Sequence, residues 1–402
     1  MTITINNKNK KPNVPNSTDK GNAIRNLPNL RFPEFREEWE EHELSEYLDF
    51  KNGLNPKPNQ FGKGIKFISV MDILNNAVIT YDCIRASVSV SEEDMSAFSV
   101  QKGDILFQRS SETLEDVGRA NVYVDDIPAV FGGFVIRGKQ KTNYNPLFFK
   151  YLLSSPLARK RIIRMGAGAQ HFNIGQEGLS KVKLPFACID EQNKIAKILY
   201  LLDKRISLQN KIIEDLKKLK SAISENLFKD VKGNIVMLSE ICEIIKGKQI
   251  NGEFLSESGK YYVMNGGTEP SGYYSDYNVE ANTISISEGG NSCGYVQFNP
   301  SPFWSGGHCY TIQEIADNVD NLYLYHFLKS KEDAIMKLRI GSGLSNIQKK
   351  DLAMFKIKIP TVEQQKAIST FLSSLERKAE IEERIQNAMQ KEKQYLLRQM
   401  FI

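Results

Sequence analysis

Two stretches of this chain carry apolar residues at helical spacing along an otherwise charged sequence. In the first, Ile195, Leu199, Leu202 and Ile206 recur every three or four positions, and Ile212, Leu216, Leu219, Ile223 and Leu227 continue the stripe after a slip near Gln209. In the second, Ile368, Leu372, Leu375 and Ala379 are followed by Ile385, Met389 and Leu396. Lys, Glu, Asp, Arg and Gln fill the other faces, and neither stretch contains Gly or Pro. The pattern predicts two helices of about 38 residues, each ~57 Å long at 1.5 Å per residue. A helix of that length with one apolar stripe needs a partner, and the other stretch is the economical one, so a two-helix coiled coil is expected. Lys232-Gly233-Asn234 stops the first helix.

Ahead of each helix the period changes to short β-branched or aromatic runs bounded by Gly, Asn, Asp and Ser. Strands are predicted over 65–70, 104–107 and 134–137, and again over 261–264, 283–287 and 309–312. Each set is followed by a helix, over 146–154 and 321–330. Strands and helices without a regular βαβ rhythm predict irregular α+β domains.

The two halves repeat one another. Gly166-Ala167-Gly168 leads to Leu184-Pro185 and Glu191-Gln192-Asn193-Lys194; Gly341-Ser342-Gly343 leads to Ile359-Pro360 and Glu363-Gln364-Gln365-Lys366, 175 positions on. Gly132-Gly133 and Gly306-Gly307 lie 174 apart. Leu44-Ser45-Glu46 answers Leu238-Ser239-Glu240, and Lys51-Asn52-Gly53 answers Lys246-Gly247-Lys248. The period far exceeds the 20–50 residues of solenoids, so each copy is a domain plus a helix. If the second domain starts at the far end of the first helix, the helices pair antiparallel and the molecule has an approximate two-fold axis. Between the Leu-Ser-Glu opening and the glycine pair the first copy is 20 residues longer, so similar ends enclose dissimilar middles.

Composition narrows the class. The 402 residues, 41% of them hydrophobic, suffice for two cores. No apolar run approaches the ~20 residues of a membrane span. The first 29 residues, rich in Asn, Lys, Thr and Pro without an apolar core, are expected to be a disordered tail rather than a signal peptide. Five scattered cysteines without CxxC spacing argue against a disulfide framework or zinc site and fit a reduced cytoplasmic setting. A net charge of +5 is compatible with nucleic acid without singling it out.

Enzyme signatures are missing. Asn145-Pro146-Leu147 lacks the second proline and the aromatic residue of an adenine methyltransferase motif, and Gly289-Gly290-Asn291-Ser292-Cys293-Gly294 has the wrong spacing for a dinucleotide loop. There is no Gly-x4-Gly-Lys phosphate loop, and Glu376-Arg377-Lys378 lies on a charged helix without an aspartate partner. His308 beside Cys309 has no spaced partner and reads as structural rather than metal-binding.

The Leu30-Arg31-Phe32-Pro33-Glu34-Phe35 lead-in with Trp39, the two Gly-x-Gly blocks running to a proline, and the Glu-Gln-x-Lys at the head of each long helix together resemble the specificity subunit of type I restriction–modification enzymes. The likeness covers residue 30 to the end. It implies two target-recognition domains, over 30–189 and 233–362, each reading one half of a split, asymmetric double-stranded DNA sequence. Spacer helices over 190–232 and 363–402 would form an antiparallel coiled coil with pseudo-two-fold symmetry, behind a tail over 1–29. The implied partners are two modification (methyltransferase) subunits and translocating restriction subunits, with no membrane. The chain itself would be non-catalytic and bind no cofactor or metal, its partners using S-adenosylmethionine, ATP and magnesium. The second helix opens one residue out of step with the first, which leaves local register open.

Reading bases needs polar side chains at base edges and cations at phosphates. The candidates in the first domain are Lys51, Gln108-Arg109-Ser110, Arg119, Asn121, Gln170-His171 and Asn173. In the second they are Lys248-Gln249, Asn251, Asn265, Tyr273-Tyr274 and Asn291-Ser292. Each also has an ordinary explanation, since Asn, Gln and Ser in loops commonly make turns and surface arginines commonly make ion pairs. Two other classes remain open: a coiled-coil scaffold that binds only proteins, and an enzyme with an unrecognised site. The lead-in and the helix surfaces, being apolar, are expected to call for partner subunits.

Overall fold

The computed structural model describes residues 4–5, 26–168, 170–341 and 345–402. Most of the expected 1–29 tail therefore lies outside the described residues, as do Ser342 and Gly343 of the second Gly-x-Gly block; Thr4–Ile5 pairs antiparallel with Leu30–Arg31. Two compact units emerge, one built on residues up to Asn210 together with Ile385–Ile402, the other on Lys211–Arg384. Each thus owns part of both long helices.

Unit one contains β1 (Leu48–Asn52), β2 (Phe61–Ile68), β3 (Ile105–Gln108), β4 (Ser110–Ser111), β5 (Ala120–Val122), β6 (Ala129–Phe131), β7 (Val135–Gln140), α1 (Pro146–Ser154), β8 (Phe172–Asn173) and the start of α2 (Ile189–Asp230). Unit two contains β9 (Glu243–Lys246), β10 (Tyr261–Met264), β11 (Thr283–Ser287), β12 (Val296–Asn299), β13 (Trp304–Ser305), β14 (Cys309–Gln313), α3 (Asn321–Ser330) and the start of α4 (Val362–Gln399). The main sheet of unit one has the order β5-β3-β7-β1, that of unit two β12-β11-β14-β9, antiparallel throughout. A second sheet, four-stranded in unit one and three-stranded in unit two, holds a parallel pair in each, β2 with β6 and β10 with β13. The α+β architecture is the one the pattern predicts, and four of the predicted elements (146–154, 261–264, 283–287, 321–330) have the observed bounds.

The same anchors recur where each domain meets its helices. In α1, Asn145 caps the first turn, its Oδ1 accepting from Leu147 N and Phe148 N; Asp320 does this for α3 through Tyr323 N. The backbone N–H of each capping residue donates in turn to a buried glutamine near the start of a long helix, Asn145 to Gln192 (2.9 Å) and Asp320 to Gln365 (2.7 Å). Each glutamine's Nε2 donates back to a carbonyl five residues earlier, Ala187 or Pro360. Gln192 therefore corresponds to Gln365, not Gln364, which settles the one-residue step between the two motifs. At the opposite helix ends Phe401 sinks into the core of unit one against Phe148 and Trp39, and Phe228 into that of unit two against Tyr323 and Phe327.

A charged cluster stands behind each capped helix. In unit one the buried Asp203 of α2 accepts from Lys150 (3.2 Å) and Tyr151 (2.8 Å) of α1 and pairs with Lys393 of α4 at 2.5 Å. Burial pushes the Asp203 carboxyl up, but the two lysines outweigh it and leave it low; burial brings Lys150 down to about 8. In unit two Glu376 of α4 pairs with Lys220 of α2 (2.6 Å) and accepts from Tyr325 of α3 (3.1 Å), while the neighbouring His326 meets Ser373 Oγ at 2.9 Å. Burial lowers His326 to about 4, so it is neutral. Within each unit the contacts run antiparallel: Asn210 meets Gln386 and Asp203 meets Lys393 in one, Lys217 meets Glu383 and Lys220 meets Glu376 in the other.

Two expectations need correction. The stripe of α2 does not slip at Gln209: Gln209 and Ile213 are buried, whereas Ile212 and Leu219 are exposed, so a 3–4 spacing runs through 202, 206, 209, 213, 216, 220, 223 and 227 with polar residues at two of its positions. Likewise Ile385 points outward and Gln386 takes the inner place on α4. The lead-in, moreover, needs no partner to cover it. Phe32 and Trp39 are buried in unit one, where Arg31 makes a two-pronged ion pair with Glu191 (2.7 and 2.8 Å) and Trp39 Nε1 donates to the same carboxylate at 3.0 Å.

Candidate nucleic-acid interface

The strand next to the sheet's outer edge ends at the same backbone junction in both units. In unit one β3 runs into Arg109, whose N–H donates to Phe134 O (2.8 Å) and whose carbonyl accepts from Ile174 N (2.9 Å). In unit two β11 runs into Glu288, whose N–H donates to His308 O (2.9 Å) and whose carbonyl accepts from Ile347 N (2.8 Å). Arg109 and Glu288 are thus equivalent positions, as are Phe134 and His308. So are Asn173 and Asn346, which close matching bridges to Ala167 and Ile340.

The glycine pairs make this junction possible. A Cβ on Gly133 would stand 2.0 Å from Asn55 Oδ1, and one on Gly306 2.5 Å from Asn265 Oδ1, so a side chain at either would have to displace that asparagine. Pinned in this way, Phe134 and His308 project with 68% and 64% exposure.

Unit one gathers Arg109, Ser110 and the 170–173 loop at the short ladder of β4 with β8. Ser110 Oγ donates to Asn173 Oδ1 (2.5 Å), and Asn173 Nδ2 donates to His171 O (3.4 Å). Gln170 and His171 are exposed beside them. Arg109 is half-buried and spends one donor, Nη1, on Gly133 O at 3.3 Å, its one side-chain hydrogen bond among the described residues. Arg119, whose carbonyl accepts from Gln108 N at 2.7 Å, is exposed and pairs with Asp116 at 2.6 Å. Three sequence-based candidates serve the fold instead. Asn121 is buried, donating to Ile73 O and Asn76 O and accepting from Val122 N. Gln108 is buried, its Nε2 donating to Ser110 O. Lys51 donates to Ala97 O at 2.9 Å with its ammonium over the Phe98 ring. An Asn in a polar loop and an Asn in a strand look alike in sequence, and burial separates them.

Unit two brings together Lys248, Gln249, Asn265 and the 288–292 loop around His308. Asn265 Oδ1 accepts from His308 N at 3.1 Å, and Gln249 lies against Gly307. Lys248 O accepts from Trp304 Nε1, and Tyr274 stands edge-on to the same indole, 5.2 Å between centroids. Asn291 is exposed on its loop and Ser292 half-buried, its carbonyl taking Tyr295 N. Asn251 is turned to local use, capping a short turn through Glu253 N, and Tyr273 pairs by backbone with Tyr262 and Ser256.

Sequence reasoning missed the centre of this face. Glu288 is buried; its Oε1 accepts from Lys246 (2.6 Å) and Tyr310 (3.1 Å), while its Oε2 has no hydrogen-bond partner among the described residues and lies 3.7 Å from His308 Nδ1. Burial, helped by Glu288, pushes the Tyr310 hydroxyl up to about 12, so it stays a donor. The 174-residue offset of the glycine pairs carries Phe134 onto His308 directly; Arg109 and Glu288 are hidden because the insertion in the first copy breaks the offset between them. The flanks differ too: residues 51–66 hold Lys51, Lys57, Lys63 and Lys66 and no acid, whereas 246–264 mix Lys246, Lys248 and Lys260 with Glu253 and Glu257. Among the described residues no cluster of His, Cys, Asp or Glu could hold a metal ion, and no helix is long and apolar enough to cross a membrane. Donors, acceptors and cations arranged on two equivalent faces suit recognition of a polyanion with an internal pattern.

Comparison with known proteins agrees. The family described as type I restriction modification DNA specificity domain matches residues 36–218 and 231–391. A protein named as the MjaX specificity subunit of a type I restriction enzyme, from Methanocaldococcus jannaschii, is 26% identical over 92% of this chain and 95% of its own. The EcoKI specificity subunit of Escherichia coli is 23% identical over 52% of this chain and 41% of its own. Among solved structures, the type I restriction–modification S subunit of M. genitalium superposes with a TM-score of 0.66 at 19% identity, covering 94% of this chain and 99% of that one.

Proposed function

Because the chain belongs to the type I restriction–modification DNA specificity family, as a specificity subunit with two DNA-recognition domains, we propose that it reads a bipartite, asymmetric target, one half with each domain. The recognition domains lie within 30–189 and 233–362. The helical segments 190–232 and 363–402 set the number of base pairs between the halves. Two modification subunits and the restriction subunits dock on the same chain, and S-adenosylmethionine, ATP and magnesium belong to them.

One observation carries this reading: two sheets of identical strand order present different residues, Arg109 and Glu288, at one equivalent junction. A shared scaffold with unlike reading heads is what an asymmetric target requires. Cations near the heads hold phosphates without regard to sequence, and side chains at base edges discriminate by roughly 1–3 kcal/mol per good bidentate contact. Half-sites about one helical turn apart, roughly 34–36 Å, suit a two-headed reader.

The test is an exchange. Replacing 36–189 with the same segment of another family member should change one half of the methylated sequence and leave the other intact, as read by single-molecule methylome sequencing. A change in both halves, or in neither, overturns the independent-reader model. Insertion of one heptad after Ser207, matched on α4, should lengthen the gap without altering either half, and an unchanged gap would remove the ruler role.

A further inference from the structure

Beside Arg109 and Ser110, unit one holds an open apolar pocket of about 430 Å³ that none of the polar reading groups explains. Its walls include Pro56, Phe61, Phe67, Val70, Met71 and Phe134, with Ser110 and Gly133 on the side of the reading ladder. Phe61, Met71 and Phe134 are exposed, 43%, 60% and 68%. Three large apolar side chains around one cavity form a cluster rather than the scattered exposure any surface shows. They are also held in place. Phe134 stands between two backbone hydrogen bonds, Val135 N to Gly132 O (2.8 Å) and Arg109 N to Phe134 O (2.8 Å), and Phe61 packs edge-on against Phe67, 5.3 Å between centroids.

The surroundings say what would fill it. Lys57 and Lys63 are exposed on the segment that supplies Pro56 and Phe61, and residues 51–66 contain no acid, so the rim complements a polyanion. Ser110 belongs both to the pocket wall and to the ladder bearing Arg109 and Asn173. A duplex whose base edges meet Arg109 therefore lays an adjoining base step over the cavity. Base edges in the major groove offer one apolar group, the 5-methyl of thymine.

We propose that this pocket is a thymine-methyl site: it seats the methyl and the adjoining C5–C6 edge of a thymine in the half-site read by unit one, next to the base contacted by Arg109. This rests on the DNA-reading function above and goes beyond it by naming a base and the atoms that select it. At the equivalent positions of unit two stand two polar residues, His308 in place of Phe134 and Glu288 in place of Arg109.

The experiment uses the chain assembled with its modification subunits and the target found by methylome mapping. Each thymine of both half-sites is replaced singly by deoxyuridine, which removes only the methyl. Binding of the assembled complex should weaken roughly three- to tenfold at one thymine, as expected for one methyl taken from water, and only in the half that changes when 36–189 is exchanged. Phe134→Ala should bind the thymine target about as weakly as the unchanged complex binds the uracil one, and lose no further affinity on uracil substitution. Met71→Ser, at an exposed position of the same wall, repeats the test should Phe134→Ala fail to assemble. A half-site without thymine, no uracil-sensitive position, or a Phe134→Ala complex as sensitive as the unchanged one overturns the pocket while a sequence-specific methylation pattern keeps the DNA-reading function. Loss of a modification subunit from the Phe134→Ala complex, with uracil sensitivity unchanged, overturns it in favour of a protein seated there. Absence of any specific methylation refutes the DNA-reading function itself.

Discussion

Unit one and unit two are the same framework solved with opposite charges. At the junction of Arg109 and Glu288, unit one places a guanidinium that spends one donor among the described residues, and unit two a buried carboxylate that holds Lys246, Tyr310 and, at 3.7 Å, His308. Behind α1 the anchor is ionic, a carboxylate between two lysines; behind α3 the same place holds Glu376 with one lysine, a tyrosine and a neutral histidine. Backbone hydrogen bonds and sheet order are kept while the polar groups at the junction, and two of those beside each anchor carboxylate, are exchanged. Chain geometry constrains the frame; the side chains it displays are free to follow the target.

The anchors give the largest effects. Asp203→Leu would leave Lys150 and Lys393 without their counter-charge, one of them buried, and should destabilise unit one by about 3–5 kcal/mol. Adding Lys150→Met should recover most of that loss, because an apolar replacement removes the uncompensated charge. Glu376→Leu in unit two strips a less buried carboxylate from partners that include a neutral ring, and should cost about 1–2 kcal/mol. Hydrogen exchange read separately over each unit measures both; equal losses would erase the distinction between an ionic and a polar anchor.

Acid sharpens the contrast. His326 keeps its proton off down to about pH 4 in the folded state, against an ordinary value of 6.5. Between those values the unfolded chain binds a proton that the folded one does not, so stability falls as pH drops from 6.5 to 4. The loss approaches about 3 kcal/mol at the low end, in unit two. Burial is the main cause, with Glu376 and Asp320 raising the value and Lys220 lowering it. In unit one the equivalent ring is Tyr151, which has no such titration in that range. His326→Phe should flatten the pH dependence of exchange in unit two, and a slope that survives would place its origin elsewhere.

Much of this frame was legible from residue spacing. Periodicity located both long helices, and α1, α3, β10 and β11 had the predicted bounds because proline, asparagine and glycine punctuate them. The seam through Gln209, Ile213 and Lys220 was not legible, since an apolar-only reading follows Ile212 and Leu219 and invents a slip. The lead-in looked like an exposed patch because its cover, Glu191 and Phe401, lies 152 and more residues away. Loop polarity singled out Arg109, Ser110 and Asn173, which the fold gathers at one short ladder, together with Asn121, whose strand position only the fold reveals. Glu288 escaped because a lone acid in a polyanion-binding protein signals nothing until Lys246 and Tyr310 are seen to converge on it.

At the junction itself, Arg109→Ala should relax one position of one half-site, a loss of about 1–3 kcal/mol of discrimination there, and leave the other half unchanged. Glu288→Gln should have a smaller and different effect. It keeps the shape but releases Lys246, so the second half-site should bind less tightly with its sequence preference partly retained. Methylome sequencing with graded protein levels separates lost discrimination from lost affinity. The smallest effect should be the most symmetrical. Gln192→Ala and Gln365→Ala each remove one buried amide that bonds the same pair of backbone groups, Gln365 with a further bond to Asn318 O at 3.0 Å, and each should cost about 1–2 kcal/mol. Here the two units have kept the residue as well as the position, so the two losses should differ by no more than that one extra bond. A clear inequality would mean that the anchors have diverged as far as the reading heads, and that the framework is shared in outline only.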